Sequence, residues 1–312
     1  MSLRVLVTGG AGYLGTTMVP MMLDKGWHVT VLDRFPQGMP FLAGCCANPR
    51  FDAVKGDIRD DRILAEVVPN HDVVINLAAI VGAPACDMDA AAATAINHHA
   101  VIYMQTHLLG RGQLLLQPTS DSGYGVGYQA NVCTEEHALN PTSLYARTKV
   151  AAEQHVISAN GISLRLASVF GMSPRMRIDL IANEFVWRAV HDRSVVLFEG
   201  HFRRNFVHVR DVSRAFIHAI ESQDDMRGNA FNCGASSEMM TKRQLCEKIA
   251  AHVPGFEYHE SVGKFDPDRR DFVVANDKLE ATGWKAEHTI DMGIVELLKG
   301  YRMLSKGGFF NA

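Results

Sequence analysis

The 312-residue sequence lacks a long hydrophobic run, a surplus of positive charge and a signal-peptide pattern. No apolar stretch approaches the roughly 20 residues that span a bilayer, so we expect no membrane partner. The formal net charge of −3 argues against a nucleic-acid partner, which favours a strongly basic face. The N-terminus enters a strand pattern without separate basic and apolar regions, so we expect no signal peptide.

Cysteine and histidine are present but show no metal-binding spacing. The fourteen histidines contain no HExxH motif, and the six cysteines form no CxxC pair (Cys45, Cys46, Cys86, Cys133, Cys233 and Cys246). Dispersed thiols of this kind indicate a reducing compartment. We therefore predict no metal site and a cytoplasmic protein.

The first half of the chain alternates apolar strand patterns with helical patterns. Hydrophobic residues make up 47% of the sequence, enough for a large core. The predicted strands cover residues 3–9, 28–33, 51–57, 72–79, 113–118 and 161–170. Strands separated by helices of this length indicate βαβ units, and therefore a Rossmann-type, doubly wound parallel sheet of the α/β class.

The regular alternation of strand and helix patterns ends after Gly171. We predict a helix from the segment after Gly171 to about His191, a strand at 194–200, a helix capped by Thr241 and a final helix over 290–304. The predicted domains are a nucleotide-binding Rossmann domain (1–170) and a smaller C-terminal α/β substrate-binding lobe (171–312). Residues 205–232 are expected to return and pack on the first domain.

A glycine-rich loop connects the first strand to the first helix. The segment TGGAGYLG (8–15) places Gly9, Gly12 and Gly15 at three-residue spacing. Glycines let the backbone turn tightly and approach a pyrophosphate, whose charge the helix N-terminus favours. Because the loop lies in a strand–turn–helix context, it predicts a dinucleotide site.

Acidic residues follow the second and third strands. Asp33 is suited to hydrogen-bond an adenosine ribose and to repel a 2′-phosphate, which favours NAD over NADP. The neighbouring Arg34 leaves that choice open. Asp57 is either an adenine contact or an aspartate that caps a turn.

Tyr145 and Lys149 lie four residues apart on a predicted helix, and hence on one face. Bringing the pKa of a tyrosine from about 10 to near 7 takes roughly 4 kcal/mol. A nearby ammonium supplies that at an effective dielectric of about 20. The pair is therefore suited to act as a general base for alcohol oxidation.

These motifs together resemble the extended short-chain dehydrogenases/reductases over nearly the whole chain. They are the glycine loop, NLAA (76–79), a serine before the tyrosine, and YxxxK. The segment RRNFVHVRDV (203–212) resembles nucleotide-sugar epimerases and dehydratases. Three shorter segments resemble bacterial enzymes that act on GDP-linked manno-heptoses, including C4 dehydrogenases: SPRMR (173–177), SGYG (122–125) and LEATGW (279–284).

The resemblance implies a tightly bound NAD and a C4 oxidation of a GDP-, UDP- or dTDP-linked sugar. Tyr145 removes the O4 proton, Ser120 shares that hydroxyl, and Lys149 anchors the nicotinamide ribose. Further cofactor contacts are implied at Tyr13, Leu14, Ile58, Leu77, Ala78 and Ala79. A homodimer is also implied, through helices at about 90–109 and 143–159.

The residues after Ser120 bear on the outcome of the reaction. By the resemblance, 4,6-dehydratases carry an acidic pair after the catalytic hydroxyl, whereas this chain has Asp121 followed by Ser122. A serine does not take the C5 proton without a base of its own, so dehydration is disfavoured. Asp121 then orients a sugar hydroxyl or caps a turn. Ser168 stands where many relatives have an asparagine that contacts the sugar or the phosphate.

Arginines are suited to the diphosphate, because their planar forks bind oxygens bidentately. Arg204 matches the family's diphosphate arginine, and further contacts are expected from Arg175, Arg177, Arg269 and Arg270. Solvated surface charge is the alternative for these arginines. Alternatives for the whole chain are a 4,6-dehydratase using Asp121, a reductase of a small apolar ketone, and a non-catalytic dinucleotide sensor.

Overall fold

The computed structural model describes residues 2–36, 40–110, 112–125, 132–261 and 271–304. In chain order the strands are β1 (Arg4–Thr8), β2 (His28–Asp33), β3 (Phe51–Lys55), β4 (Val73–Asn76), β5 (Leu114–Ser120), β6 (Val132–Cys133), β7 (Ile162–Leu166), β8 (Ser168–Phe170), β9 (Ser194–Leu197), β10 (Arg203–His208), β11 (Asn229–Cys233), β12 (Met239–Thr241), β13 (Glu257–Glu260) and β14 (Val273–Val274).

The α-helices are α1 (Gly15–Asp24), α2 (Asp61–Val67), α3 (Ala83–Met88), α4 (Ala90–Thr94), α5 (Ala100–Tyr103), α6 (Leu144–Ser158), α7 (Ile181–His191), α8 (Val209–Glu221), α9 (Gln223–Met226), α10 (Lys242–His252), α11 (Asp277–Glu280) and α12 (Ile290–Tyr301). Short 3₁₀ turns cover Ala43–Cys45, Val68–Asn70 and Asp121–Tyr124, and π-helical turns cover Ala95–His99 and Met104–Leu108. None of the helices in the described ranges is long and apolar enough to cross a membrane.

The largest sheet has seven strands in the order β11-β7-β5-β4-β1-β2-β3. The pairs β1–β2, β1–β4, β2–β3 and β4–β5 are parallel. The strand order reverses between β1 and β4, and such a switch point leaves a crevice at the carboxyl ends of the strands. The predicted Rossmann-type, doubly wound sheet is confirmed.

The central strands are buried on both faces, as parallel strands covered by helices must be. Residues 5–8 of β1 and all of β4 are buried. Their side chains pack with apolar residues of the covering helices, including Leu64, Val101, Met104 and Val156. Each such side chain stabilises the fold by about 1.5–3 kcal/mol relative to an exposed position.

The chain forms two compact units. The first comprises Met1–Gly123, Pro141–Arg165 and Ser213–Phe231, and it contains β1 to β5 with α1 to α6. The second comprises Tyr124–Asn140, Leu166–Val212 and Asn232–Ala312. It contains the three-stranded sheet β12-β10-β8 and the parallel pairs β13–β9 and β14–β6.

Two predicted elements differ in the structure. The strand predicted over 161–170 is two strands, because β7 joins the large sheet whereas β8 pairs in parallel with β10. The helix predicted after Gly171 begins only at Ile181. Pro174 disfavours a helical conformation at the residue before it. The Arg177 guanidinium also pairs with Asp179, and the Arg177 carbonyl accepts from Asn183 Nδ2, which holds the segment in an irregular path.

Candidate active site

The glycine loop between β1 and α1 is tightly packed against the end of β4. Gly9 has a φ of +68°, and a Cβ there would lie 2.5 Å from the Ala78 nitrogen. A Cβ at Gly15 would lie 2.3 Å from the Gly10 carbonyl oxygen. The Gly12 amide donates to the Gly9 carbonyl at 3.1 Å, which closes the turn. These close approaches require glycine and shape the loop as the dinucleotide fingerprint requires.

The N-terminus of α1 is suited to an anion. Leu14 is its N-cap and has no polar side chain, and the first turn contains no acidic residue. Tyr13 is buried beside it. The amide groups and the dipole of a helix N-terminus favour negative charge. The loop and this helix end therefore fit a dinucleotide pyrophosphate.

Asp33 ends β2 and contacts the glycine loop. Its Oδ2 accepts from the Ala11 amide at 3.1 Å, and its Oδ1 accepts from the Phe35 amide at 2.9 Å. The carboxylate is thus fixed in the loop where a ribose is expected. Negative charge at this place fits NAD and disfavours a 2′-phosphate.

Asp57 is bound by arginines. Arg59 donates to both carboxylate oxygens, at 3.0 and 2.7 Å, and its backbone amide bonds Oδ1 at 2.9 Å. The side-chain hydrogen bond from Arg59 is the main reason that the pKa of Asp57 is lowered. Arg34 Nη1 lies 3.8 Å from Asp57 Oδ2, so its charge is directed toward this carboxylate. The adjacent Ile58 is buried.

NLAA follows β4 at the crevice. Thr8 Oγ1 donates to Asn76 Oδ1 at 2.5 Å, and the Leu77 amide donates to the Thr8 carbonyl at 2.9 Å. Asn76 Nδ2 also donates to Gln117 Oε1 at 3.0 Å, which connects β4 with β5. The carboxyl ends of these strands are therefore joined by side-chain hydrogen bonds, and Ala78 and Ala79 lead away from them.

Ser120 ends β5 within a local hydrogen-bond network. The Ser122 hydroxyl donates to Ser120 Oγ at 3.0 Å, and the Ser122 amide donates at 3.2 Å. The Ser120 hydroxyl in turn donates to Asp121 Oδ1 at 3.3 Å. Asp121 is buried, whereas both serines are partly exposed. The Ser120 oxygen thus has its proton directed at a carboxylate.

Tyr145 and Lys149 lie on α6, which begins with a Ser143 cap that accepts from the Ala146 amide. Tyr145 is half-buried, and Lys149 is only 3% exposed. Burial lowers the pKa of Lys149 to about 8, against the opposing effects of Cys86 and Glu153. The ammonium therefore lies one helical turn from the phenol in a poorly solvated place.

Sequence reasoning missed two residues around this helix. Asn97 is buried in the first π-helical turn, where it accepts from the Ile80 amide at 2.8 Å and donates to Thr148 Oγ1 at 3.4 Å. Glu153 follows Lys149 by one turn and forms a buried ion pair with Arg165. An arginine inside the apolar pattern of β7 was the signal for a buried acidic partner.

The predicted phosphate residues of the second unit are mostly buried. Arg204 is 4% exposed and Arg175 is 7% exposed, so neither is a solvated surface charge. Arg177 forms an ion pair with Asp179, with 2.5 Å between Nη2 and Oδ2. Ser168 begins β8 opposite Phe206 of β10. Arg269 and Arg270 lie outside the described residues.

Tyr124 is a structural residue of the second unit. Its ring is buried and packs edge-on against Phe272, and its hydroxyl donates to Asn232 Oδ1 at 2.7 Å. This committed hydroxyl separates Tyr124 from Tyr145, whose ring is partly exposed.

Comparison with known proteins adds the family. The family model described as "NAD dependent epimerase/dehydratase family" matches residues 5–234. The low-salt glycan biosynthesis protein Agl12 of Haloferax volcanii is 26% identical over 314 residues, covering 93% of this chain and 96% of its own. A UDP-glucose 4-epimerase of Halalkalibacterium halodurans is 26% identical over 322 residues, covering 92% and 91%.

A solved structure supports the fold. The UDP-glucuronic acid 4-epimerase of Bacillus cereus, in complex with UDP-glucuronic acid and NAD, superposes with a TM-score of 0.85 at 20% identity. The match covers 97% of this chain and 100% of that chain. Since the family model spans most of the sequence and the glycine loop and Asp33 fit the cofactor, the chain belongs to the NAD dependent epimerase/dehydratase family and is an NAD-dependent enzyme.

Proposed function

We propose that this enzyme oxidises or reduces C4 of a nucleotide-linked sugar. The observation that carries the proposal is a set of three residues in the first unit. Ser120 lies at the end of β5, and Tyr145 lies one helical turn before the buried Lys149 on α6. NAD, when bound, would supply the hydride acceptor.

Tyr145 acts as the base that removes the O4 proton. Tyr145 is only half-buried, so we expect a substrate hydroxyl to reach its side chain. Lys149 favours the phenolate electrostatically, because the ammonium lies one turn away in a poorly solvated place. Ser120 accepts a hydrogen bond from the same substrate hydroxyl or donates one to it, while Asp121 and Ser122 orient the Ser120 hydroxyl.

The hydrogen bonds around Ser120 support oxidoreduction rather than dehydration. Both polar groups of Ser122 donate to Ser120, so this residue is committed to positioning and has no base of its own. Dehydration requires a group that takes the C5 proton after C4 is oxidised. The second candidate is a 4,6-dehydratase in which Asp121 takes that proton, since its carboxylate lies beside Ser120.

Arg204, Arg175 and Arg177 support a substrate with a diphosphate. Arg204 and Arg175 are buried guanidinium groups on the second unit, and buried arginine is suited to bidentate phosphate recognition. Arg269 and Arg270 are further candidates. The shorter sequence segments favour a GDP-linked heptose or hexose, whereas the relative from Halalkalibacterium halodurans is a UDP-glucose 4-epimerase.

The first experiment is a mass-resolved turnover assay with GDP-, UDP- and dTDP-linked hexoses and heptoses, with NADH absorbance followed. Loss of two hydrogens with NADH formed identifies a C4 dehydrogenase. An unchanged mass with a new stereoisomer identifies a 4-epimerase. Loss of water identifies the dehydratase and contradicts the argument from Ser122.

Matched tyrosine variants test the base. We expect Tyr145→Phe to lower kcat about 10²–10⁴-fold, the usual range for loss of a general base. Tyr124→Phe is the control, because its hydroxyl is committed to Asn232 and its loss affects stability. A Tyr145→Phe enzyme as active as its parent would remove the catalytic assignment.

The substrate class is tested at Arg204. Arg204→Lys keeps a positive charge but loses the planar fork, so we expect a raised KM for nucleotide sugars with a smaller change in kcat. Circular dichroism confirms that the variant folds. An unchanged KM contradicts the nucleotide-sugar assignment and favours a small apolar ketone.

A further inference from the structure

Glu153 is at the centre of a buried polar network in the first unit. Its carboxylate accepts from Arg165 Nη2 at 2.7 Å and from Arg165 Nε at 3.0 Å. Its Oε2 also accepts from the Thr119 hydroxyl at 2.7 Å and the Ser163 hydroxyl at 2.8 Å. Glu153 is 1% exposed, so water contributes little to its solvation.

This network joins the two elements that carry the reacting groups. Thr119 immediately precedes Ser120 at the end of β5. On α6, Glu153 follows Lys149 by four residues and Tyr145 by eight, so the three side chains lie along one stripe of the helix. The carboxylate therefore fixes the Ser120 strand end relative to the Tyr145 face, through hydrogen bonds that tolerate little displacement.

The charges around Lys149 give the network a second role. Within the described parts of the chain, Lys149 Nζ has no hydrogen bond and no ion pair. The titratable groups with an electrostatic effect on it are Cys86 of α3 and Glu153 of α6. Burial raises the pKa of the Cys86 thiol, so near neutral pH the negative charge that favours the ammonium comes from the Glu153 carboxylate. Arg165 of β7 partly neutralises Glu153. Glu153 therefore opposes the effect of burial on Lys149.

We propose that Glu153 is a positioning residue for the reaction, which holds Ser120 in register with Tyr145 and keeps Lys149 as an ammonium. The inference rests on the proposed function, because it takes Tyr145 and Lys149 as the reacting pair. Glu153 itself is buried, so we expect it to make no contact with the substrate. Its role is exerted through Thr119 on one side and Lys149 on the other.

A purely structural role is the alternative, since buried ion pairs are often replaceable by apolar residues without loss of stability. The two roles differ in the measured quantities that they affect. A structural pair affects the melting temperature alone. A positioning carboxylate also affects the pH at which Tyr145 and Lys149 titrate.

The test uses two variants and a matched control. Glu153→Gln keeps the shape and can still bond the hydroxyls, but it removes the negative charge that faces Arg165. Glu153→Gln combined with Arg165→Met removes both charges of the ion pair, so that the guanidinium is not left beside a neutral amide. The control is Glu238→Gln in the second unit, a buried carboxylate that accepts from the Ile290 amide at 3.0 Å.

The first readout requires no substrate. The tyrosinate ultraviolet band is titrated in each protein, with and without NAD⁺, and the same protein carrying Tyr145→Phe is subtracted to isolate Tyr145. We expect Glu153→Gln to move the Tyr145 midpoint to higher pH by about one unit, because Lys149 loses its proton earlier. The double variant should move it in the same direction by less, because Arg165 partly neutralises Glu153 in the parent. Glu238→Gln leaves the midpoint unchanged.

The second readout is the pH profile of kcat and KM. We expect a kcat about tenfold lower, a basic limb displaced to lower pH and a nearly unchanged KM, since one pH unit is a factor of ten. If the double variant melts like the parent and keeps the parental titration and pH profile, the proposal is wrong. A different outcome is that the Tyr145→Phe variant retains activity while the Glu153 variants still shift the Tyr145 titration midpoint. That result contradicts the proposed function but supports the electrostatic effect of Glu153 on Lys149.

Discussion

Lys149 of the first unit and Lys242 of the second are equally buried, each 3% exposed, yet their ammonium groups are held differently. Lys242 Nζ donates to the Phe198 carbonyl and lies 5.5 Å from the centre of the Phe202 ring. Lys149 has no hydrogen bond or ion pair within the described ranges, and burial lowers its pKa to about 8.

The difference is the one expected between a structural cation and a reactive one. A buried ammonium with a carbonyl and a ring as partners recovers much of its lost hydration. A buried ammonium without such partners keeps its charge available for a ligand or for a neighbouring phenol, at a cost in stability. Perturbed groups of this kind concentrate at functional sites, so the comparison alone favours Lys149 as the functional lysine.

Replacement of each lysine by methionine gives the largest contrast. We expect Lys149→Met to lower kcat about 10²–10⁴-fold at saturating NAD⁺, because Tyr145 loses the charge that favours its phenolate. Lys242→Met should retain kcat and lose about 1–3 kcal/mol of stability, because the Phe198 carbonyl is left unpaired. Steady-state kinetics and denaturant unfolding measure the two effects. Equal losses of kcat in both variants would break the comparison.

Lys149→Met is also expected to stabilise the fold at neutral pH. The pKa of Lys149 is about 8 in the folded state against 10.5 for the free side chain, so the unfolded state binds more protons between these values. Below pH 8 the buried ammonium therefore costs about 3 kcal/mol of stability. Wild-type stability rises with pH across this window, whereas the variant should not show the rise. Urea unfolding of both proteins at pH 7 and pH 10 measures this change in the free energy of unfolding. An equal change in the two proteins contradicts the prediction.

Activity should decline on the basic side as Lys149 loses its proton. The ammonium is present below its pKa of about 8 and is lost above it. We expect kcat/KM to fall up to about tenfold per pH unit above that value, because the free enzyme's essential groups set this profile. The Lys242→Met variant should show the same fall of kcat/KM above about pH 8. A profile that stays flat to pH 10 would show that the charge of Lys149 is not used.

The fold was largely predictable because its signals are local. Gly15 is required by a contact with Gly10 within the loop itself, and Thr241 caps α10 through a capping box with Gln244. The division of residues 161–170 into β7 and β8 was not predictable from periodicity. It depends on pairing with β10, far away in sequence.

The site was predictable only in part. Tyr145 and Lys149 share a helix face, and a four-residue spacing reveals that. Glu153 has the same spacing, but its role depends on Thr119 of β5 and on Ser163 and Arg165 of β7, two strands that the fold brings together. The commitment of Ser122 to Ser120 depends on a 3₁₀ turn that polar composition alone does not specify.

The smallest predicted effect concerns Lys242 and tests how much the Phe202 ring contributes to holding its ammonium. Phe202→Leu removes the ring beside Lys242 while the bond to the Phe198 carbonyl remains. A double-mutant cycle of Phe202→Leu with Lys242→Met isolates their coupling from the apolar packing that either change removes. We expect a coupling of about 0.5–1 kcal/mol in urea unfolding, with kcat and its pH profile unchanged. A coupling near zero would mean that the Phe202 ring does not help to hold Lys242, and a displaced pH profile would mean that this lysine too acts on the reaction.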